Sequence, residues 1–370
     1  MSVIINIATA VPPYQHQQSD ILNFMLNKYQ LDEMFSEKVK HFYKKSSINI
    51  RHSAIPDFTE SRNEALLFDE KNDTKQVVGI EKRLEIYEKA ALPLAQKAIE
   101  KCLENKLSKD EITHLITVSC TGMSAPGLDL DLMQSLDLKP NTYRTSVNFM
   151  GCYAAFHALK HADAICRSDA DAKVMIVCVE LCTLHFQNET DMDNITATML
   201  FADGAAAALI TSGSYAKNQN IAGLQIGKFY SEVAFKGRKD MAWNISSTGF
   251  LMRLSAYIPK IIQGSVTDLL GKALAHNHKA KEDITHWAIH PGGRKILDVT
   301  AEALQFPKEK LSPSYKVLRD YGNMSSPTIL FVLKEIWENN IDFTQKENIF
   351  ASGFGPGLTM ETMVLETFSI

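Results

Sequence analysis

Two segments of the chain share one order of polar and apolar positions. "DEITHLITVSCTG" at residues 110–122 and "EDITHWAIHPGG" at residues 282–293 each begin with acidic residues and pass through Ile-Thr-His into an apolar run. Both runs are rich in β-forming residues and close on glycine, which is typical of a buried strand followed by a turn. Ile112 and Ile284 lie 172 residues apart. The pattern predicts the same strand and turn twice.

A second pair of elements follows the same spacing. In "NFMGCYAAFHALKHADAI" at residues 148–165, a glycine-marked corner opens an alanine-rich helix. A shift of 172 residues carries Cys152 to Met324, which lies beside Asn323. The segment there, "DYGNMSSPTILFVLKEIWENN" at residues 320–340, is again a glycine-marked corner that opens an apolar helix. Both halves are therefore predicted to contain a strand-to-helix corner.

A third pair extends the repeat to a further strand. "VMIVCVE" at residues 174–180 shifts by the same distance to the region of "NIFASGFGPG" at residues 348–357. Three matched elements in one register indicate an internal duplication, whereas "ITH" alone would be a weak signal. The sequence predicts a duplicated α/β unit with halves at residues 1–220 and 221–370. The first half carries the candidate nucleophile, and the second carries a histidine and an asparagine.

The duplication predicts that three residues with reactive side chains lie close together. If the halves pack about a pseudo-twofold axis, the equivalent corners with Cys152 and Asn323 converge, and His290 approaches them from the second strand. The three lie 138 and 33 residues apart in the chain. A helix N-terminus stabilises a thiolate, so Cys152 is a candidate nucleophile. The alternative is a packed thiol beside a turn glycine.

Composition narrows the class of protein. The 370 residues are 45% hydrophobic and 22% charged, with a net charge of −4, as in an ordinary globular protein. That balance argues against nucleic acid or an anionic membrane as the main partner, and the apolar runs are too short for a membrane span. The opening "MSVIINIATAVPP" predicts a strand and no signal peptide. Six cysteines without a secretory signal predict free thiols and a cytoplasmic protein.

Five ordered motifs carry a resemblance to a known family. They are "VNFMGCYAA", "MLFADGAAAALI", "HPGGRKILD", "YGNMSSPTILFVL" and "GFGPGLTMET". With this order and spacing, the chain resembles the type III polyketide synthases, the chalcone-synthase-like branch of the thiolase superfamily, over nearly its whole length. The resemblance implies a thiolase-like αβαβα layered fold with pseudo-twofold-related halves. It also implies a homodimer with residues 120–127 near the partner.

The resemblance implies a reaction that suits the three residues. An acyl group moves from coenzyme A to Cys152, malonyl-CoA loses carbon dioxide, and the carbanion attacks the acyl thioester. His290 would assist formation of the thiolate, and His290 with Asn323 would donate to the enolate oxygen. Neither is needed as a base during condensation, because decarboxylation generates the nucleophile. Phe201 would act as a gate that excludes water. The resemblance implies no tightly bound cofactor.

The coenzyme A phosphates are expected on the basic segment "SEKVKHFYKKSSINIR" at residues 36–51. By resemblance, three positions would bind them: Lys38, His41 and Lys45. Histidine replaces the family's usual arginine and carries charge only below neutral pH, so its contact would be weaker and pH-dependent. Lys40, Lys44 and Arg51 offer compensating charge. Without the resemblance, such a run would indicate a solvated helix face.

The resemblance says less about the product. The predicted tunnel positions are small or flexible: Met252, Cys120, Cys182 and Ser325. Methionine adapts to varied shapes, so we predict a medium- or long-chain acyl starter and alkylpyrone or alkylresorcinol products. A glycine-rich loop that contains Gly353, Gly355 and Gly357 is expected to shape the cyclisation end.

Rival interpretations remain open at this point. An initiating ketoacyl-ACP synthase shares the Cys-His-Asn set, but its histidine usually stands in a His-Gln-Ala-Asn context. A papain-like protease fits the order of the three residues, but the Cys-Gly-Ser-Cys-Trp context is missing. A non-catalytic binding protein would not need all three. His157 and His161 have the spacing of a zinc helix but lack the glutamate and a third ligand, so no metal is predicted.

Overall fold

The computed structural model describes residues 1–29, 31–58, 65–68, 78–187, 189–255 and 257–369. Within these ranges the chain contains both strands and helices, which alternate from residue 50 to residue 233, as expected of an α/β protein. The strands are β1 (Ser2–Ala10), β2 (Tyr14–Gln17), β3 (Ile50–Ser53), β4 (His114–Ser119), β5 (Tyr143–Asn148), β6 (Lys173–Leu181), β7 (Asp203–Ser212), β8 (Gly223–Val233), β9 (Met241–Ser246), β10 (Gly249–Leu254), β11 (His286–Ile289), β12 (Asn348–Gly355) and β13 (Thr359–Phe368). The helices are α1 (Gln18–Tyr29), α2 (Glu33–Lys45), α3 (Ile80–Leu103), α4 (Leu128–Ser135), α5 (Ala154–Ser168), α6 (Met192–Leu200), α7 (Gly213–Asn218), α8 (Ile258–His276), α9 (Arg294–Ala303), α10 (Ser312–Tyr321) and α11 (Thr328–Asn339).

The strands of the main sheet repeat one topology on either side of its centre. The order is β11-β12-β13-β8-β1-β7-β6-β4-β5, with β1 and β8 paired in the middle. In the first half β4 runs parallel to β6, and β6 is antiparallel to β7. In the second half β11 runs parallel to β12, and β12 is antiparallel to β13. The predicted duplication is therefore confirmed as a pair of matching sheet halves.

The two predicted corner helices lie at the centre of the molecule. α5 contacts β4, β6 and β7 of the first half and β13 of the second, while α11 contacts β1, β7 and β11. Four fully buried alanines of α5 permit this close approach: Ala154, Ala155, Ala158 and Ala162. α11 is apolar on most sides, as expected of an enclosed helix. α3 and α8 cover the outer faces of the two sheet halves.

The predicted boundary between residues 220 and 221 falls in the turn between α7 and β8. Both halves share one sheet, and the division into two domains stays a prediction. All six cysteines lie in the described part of the chain and are buried free thiols. Among the described helices, none combines the length and apolar character needed to cross a bilayer.

Candidate active site

The corner that carries Cys152 lies between β5 and α5. The backbone turns through Phe149 and Gly151, whose φ angles are 60° and 81°. A Cβ atom on Gly151 would lie 2.5 Å from Cδ of Pro356, so only glycine fits this turn. Cys152 is 8% exposed and lies two residues before α5 begins. The thiol therefore lies just before the helix N-terminus that was expected to stabilise its thiolate.

The equivalent corner of the second half carries Asn323. Gly322, with a φ of 72°, ends α10 directly before it. The Asn323 backbone N–H donates to the Leu200 carbonyl, and the Asn323 carbonyl accepts from the Ala202 N–H, each at 2.9 Å. These two bonds fix Asn323 against the chain on either side of Phe201.

The side-chain amide of Asn323 has a defined orientation. Its Oδ1 accepts the Ser325 backbone N–H at 2.8 Å, so Nδ2 points the other way. Nδ2 makes a long hydrogen bond of 3.5 Å to the Gly292 carbonyl, which leaves the amide available as a donor. The N-cap of α11 is Pro327, so Asn323 does not cap this helix.

His290 follows β11, and its backbone N–H donates to the Ser352 carbonyl of β12 at 2.8 Å. The side chain is 1% exposed, and neither ring nitrogen has a hydrogen-bond partner among the described residues. Burial lowers the pKa of His290 to about 3. At neutral pH the isolated imidazole is therefore uncharged, with one ring N–H available to donate.

These three residues line one cavity of about 820 Å³. The structure thus brings together side chains that are distant in the sequence. The proposed gate and tunnel positions line the same cavity: Phe201, Met252, Cys120, Cys182 and Ser325. Burial raises the pKa of Cys152 to about 11, although hydrogen bonds from Ser325 and Asn323 oppose this shift. A thiolate at neutral pH thus requires a neighbouring cation.

The predicted coenzyme A residues separate into two groups. Lys38 and Lys45 of α2 line the cavity, whereas His41 is exposed on α2 and is not part of the lining. Its side chain is shorter than lysine, and its ring lies beside Phe42 with the ring centroids 6.5 Å apart. A phosphate contact by His41 stays a prediction. Arg51 is 1% exposed and bonded internally, so the expected compensating charge does not reach the cavity.

The glycines of the predicted cyclisation loop do not line the cavity themselves. Their neighbours Phe354 and Pro356 do. A Cβ atom on Gly353 would lie 2.7 Å from the Phe156 ring, and one on Gly355 would lie 2.6 Å from the Tyr153 ring. Gly357 has a φ of 115°. These glycines allow β12 to pass close to α5 and to turn, and this places the two wall residues.

One wall of the cavity was missed by the sequence analysis. His185 stacks on Phe250 with the ring centroids 4.3 Å apart, and Trp243 meets His185 edge-on. The His185 Nε2–H donates to the Thr121 carbonyl at 2.6 Å, and Nδ1 accepts the Phe250 N–H at 3.1 Å. The Trp243 Nε1–H donates to the Cys120 carbonyl at 2.7 Å. Every polar atom of these rings is thus bonded within the protein. No local sequence signal marks Trp243 as a wall residue.

A buried carboxyl group lies behind this wall. Glu180 is 0% exposed and accepts hydrogen bonds from the Cys120 N–H at 2.9 Å, the Thr121 hydroxyl at 2.9 Å and the Ser326 hydroxyl at 2.6 Å. Burial raises the pKa of Glu180 to about 7. Glu180 therefore joins the segment after β4, which includes the cavity residue Cys120, to the corner that carries Asn323. A lone carboxylate at the end of "VMIVCVE" was the sequence signal for it.

Two further basic residues line the cavity at the start of α9, namely Arg294 and Lys295. Both are exposed, and Arg294 lies 3.4 Å from Asp298, which also bonds to Lys308. They directly follow the "HPGG" motif, which could have indicated their place near the site. In the described part of the chain no cluster of histidine, cysteine and acidic residues is arranged to bind a metal.

Comparison with known proteins identifies relatives that match the chain over nearly its whole length. The chain is 29% identical over 369 residues to an alpha-pyrone synthesis polyketide synthase-like protein of Mycobacterium tuberculosis, covering 99% of this chain and 91% of the relative. It is 28% identical to a putative chalcone synthase of Bacillus subtilis, covering 98% of each chain.

Solved structures give the same result for the fold. The crystal structure of PKS-I from the brown alga Ectocarpus siliculosus matches with a TM-score of 0.90 and 26% identity, over 99% of this chain and 98% of that one. The C-terminal type III polyketide synthase domain of a Dictyostelium type I/III hybrid matches with a TM-score of 0.88 and 24% identity over 99% of both chains. The predicted thiolase-like layered fold is confirmed.

The chalcone and stilbene synthase models match as an N-terminal domain at residues 1–214 and a C-terminal domain at residues 230–369. The chain therefore belongs to the chalcone and stilbene synthase family, the type III polyketide synthases.

Proposed function

We propose that Cys152 carries the acyl starter while His290 and Asn323 polarise the carbonyl of malonyl-CoA. As a member of this family the chain is an acyl-transferring condensing enzyme that uses coenzyme A thioesters and needs no tightly bound cofactor. The observation that carries the assignment of roles is the convergence of the three residues on one cavity of about 820 Å³. Family membership and the fold remove the papain-like alternative.

Loading begins when the Cys152 sulfur attacks the carbonyl carbon of an acyl-CoA. The thiol proton passes to His290, the new carbon–sulfur bond forms, and the bond to the coenzyme A sulfur breaks. The departing thiolate takes the proton back from the imidazolium. His290 suits this exchange because burial favours its neutral form, so it holds the proton only while an anion is beside it.

In the extension step, decarboxylation of the malonyl group generates the carbon nucleophile. The bond to the carboxylate breaks, carbon dioxide leaves, and the electron pair moves onto the thioester oxygen. The imidazole N–H of His290 and Nδ2 of Asn323 donate to this oxygen. The carbanion carbon attacks the acyl thioester, and Cys152 leaves as a thiolate. The chain, two carbons longer, is then on coenzyme A.

The phosphates of the substrate are assigned to the basic residues around the cavity. Lys38 and Lys45 of α2 and Arg294 and Lys295 of α9 all belong to its lining. Asp298, which also lines it, is already shared by Arg294 and Lys308. A pantetheine arm inside the cavity would leave the phosphates among these four cations, which supports coenzyme A over an acyl carrier protein as the donor.

The wall of the cavity favours an aliphatic starter. Much of the cavity lining is apolar and includes Met199, Leu200, Leu254, Ile258 and Ile262. Met252 pairs with Trp243 across the β9–β10 hairpin. Because the polar atoms of His185 and Trp243 are engaged within the protein, they offer no partner to a phenolic hydroxyl. Alkylpyrones or alkylresorcinols are the proposed products. The name of the mycobacterial relative refers to alpha-pyrone synthesis, which supports the former.

Starter preference should rise with the length of a saturated acyl-CoA until the cavity ends. Each buried methylene contributes about 0.8 kcal/mol, close to fourfold in kcat/KM. Met252→Trp should shorten the best chain and Met252→Ala should lengthen it, while malonyl-CoA decarboxylation stays unchanged in both. The measurement is kcat/KM for acyl-CoAs of increasing length, with mass analysis of the products. A higher kcat/KM for p-coumaroyl-CoA than for every saturated starter would contradict the aliphatic proposal.

The choice between malonyl-CoA and malonyl-ACP separates this proposal from an initiating ketoacyl-ACP synthase. Both malonyl donors are offered at equal concentration to the enzyme loaded with an acyl group on Cys152. Consumption of malonyl-CoA is expected, and faster consumption of malonyl-ACP would favour the alternative.

A homodimer is the second part of the proposal. β5 is an edge strand of the main sheet, and Tyr143 at its start is 70% exposed. Met123, in the predicted contact segment, is 40% exposed. An unpaired edge with exposed apolar side chains is a surface that a second copy can cover. Sedimentation at micromolar concentration should give a dimer for the wild type and a monomer for Met123→Glu/Tyr143→Glu. The control Phe235→Glu, which changes another exposed aromatic residue, should stay dimeric. A monomeric wild type would overturn this part.

A further inference from the structure

Arg51 is a buried cation that the proposed chemistry does not use. It lies on β3 and is 1% exposed. Burial lowers its pKa to about 10, so the guanidinium remains charged at neutral pH. A charge in such a place is costly unless it is hydrogen-bonded, so its partners indicate what it stabilises.

Two partners of Arg51 are carbonyls at the end of α6. Its Nη1 donates to the carbonyls of Thr198 and Phe201, the latter at 2.8 Å, and its Nε donates to Oε1 of Gln18 at 2.8 Å. Gln18 in turn donates to the Met199 carbonyl at 3.0 Å. Cations are favourable at a helix C-terminus, where carbonyls lack partners within the helix. Arg51 and Gln18 therefore fix the backbone that leads into the gate Phe201.

The same backbone holds the candidate catalytic amide. Leu200 and Ala202, on either side of Phe201, bond to the backbone of Asn323 at 2.9 Å. Gly322 also lies against Arg51, because a Cβ atom on it would come within 3.0 Å of Cγ and Cδ of the arginine. Arg51 thus touches the chain immediately before Asn323 and holds the chain that pairs with it.

We propose that Arg51 is a positioning residue that sets the places of Phe201 and of the Asn323 amide. This inference rests on the proposed role of Asn323 in decarboxylation. A displacement of about 1 Å at a reacting group can cost 100-fold in rate. Loss of the Arg51 contacts should therefore affect the decarboxylation of malonyl-CoA more than acyl loading at Cys152, which lies on the other corner.

The chain contains a matched control. Arg83 is 2% exposed and donates in the same manner to two carbonyls, those of Leu184 and Phe186, the latter at 3.0 Å. Its described hydrogen bonds go to Val78, Leu184 and Phe186 and none of them to the backbone that pairs with Asn323. Arg51→Lys and Arg83→Lys both keep the charge but lose the forked donor geometry, so both should lower thermal stability. Only Arg51→Lys should slow decarboxylation more than loading.

The experiment measures loading by intact-protein mass spectrometry with hexanoyl-CoA and decarboxylation by release of carbon dioxide from malonyl-CoA, well below the melting temperature. For Arg51→Lys we expect decarboxylation to fall about 10- to 100-fold with loading within twofold of the wild type. Arg83→Lys should change both rates by the same factor. The proposal would be overturned if Arg51→Lys slowed loading and decarboxylation by the same factor. It would also be overturned if Arg83→Lys slowed decarboxylation more than loading.

A second readout does not depend on activity. In protein labelled with ¹⁵N at asparagine, the side-chain amide signal of Asn323 is assigned by its absence in Asn323→Asp. It should shift in Arg51→Lys and stay in place in Arg83→Lys, and an unmoved signal in both would contradict the inference. A wild type that does not decarboxylate malonyl-CoA would defeat the proposed function, while this signal would still decide the role of Arg51.

Discussion

Asn323→Ala is expected to decarboxylate malonyl-CoA about 100- to 1,000-fold more slowly than the wild type, which is the usual cost of losing one oxyanion donor. Its Oδ1 is fixed on the Ser325 N–H, so Nδ2 is presented as a donor without further rearrangement. Acyl loading should be nearly normal, because the sulfur proposed to attack the acyl-CoA belongs to Cys152. The complementary variant Cys152→Ala should lose loading and extension but still decarboxylate malonyl-CoA slowly.

Asn323→Asp is the matched control for the fold. A carboxylate keeps the acceptor that binds the Ser325 N–H at 2.8 Å in the wild type but cannot donate where Nδ2 does. It should therefore retain the corner and lose decarboxylation at least as severely as the alanine variant. Carbon dioxide release and intact-protein mass measure the two steps separately. If Asn323→Ala slowed loading as much as decarboxylation, the proposed division of roles would be contradicted.

His290→Gln is expected to shift the ionisation of Cys152 strongly upward. Burial is the main cause that raises the pKa of this thiol to about 11, and a cationic imidazolium is the partner proposed to lower it. Glutamine keeps an N–H donor but cannot accept the proton. With a pKa near 11, only about 1 in 1,000 thiols would be ionised at pH 8. Loading and alkylation by iodoacetamide should then be slow at neutral pH and rise about tenfold for each pH unit.

The measurement is the pH profile of iodoacetamide alkylation, with Cys152→Ala as the blank for the other five thiols. In the wild type we expect the half-maximal rate at a lower pH than in His290→Gln, because transfer of the thiol proton to His290 creates an ion pair. In His290→Gln the rise should continue toward pH 11. Overlapping profiles for the two proteins would show that the imidazole does not control the thiol.

The duplication was predictable because its signals are local. Each strand of the repeat is a short apolar run closed by a turn residue, and such runs are retained in the folded sheet as β4 and β11. Once the halves are related, the convergence of Cys152 and Asn323 follows from symmetry. That both residues line one cavity could therefore be predicted without knowledge of any long-range contact.

The rest of the site depends on contacts between distant segments. Arg51 belongs to a basic run, yet its side chain turns inward because unpaired carbonyls at the end of α6 offer better partners than solvent. Trp243 lies on a hairpin that meets Cys120 only in the folded chain. The raised pKa of Cys152 also depends on distant segments. The helix N-terminus near Cys152 is visible in the local sequence, whereas the burial that raises the pKa comes from residues around the whole cavity.

Peptide mapping of the acylated enzyme tests the central claim most directly. The protein is incubated with hexanoyl-CoA, quenched in acid, digested and analysed by mass spectrometry before and after addition of malonyl-CoA. We predict one hexanoyl group on the peptide that contains Cys152, and its loss into an extended product when malonyl-CoA is added. A hexanoyl group on another cysteine, or product formation with Cys152 unmodified throughout, would contradict the claim that Cys152 carries the chain.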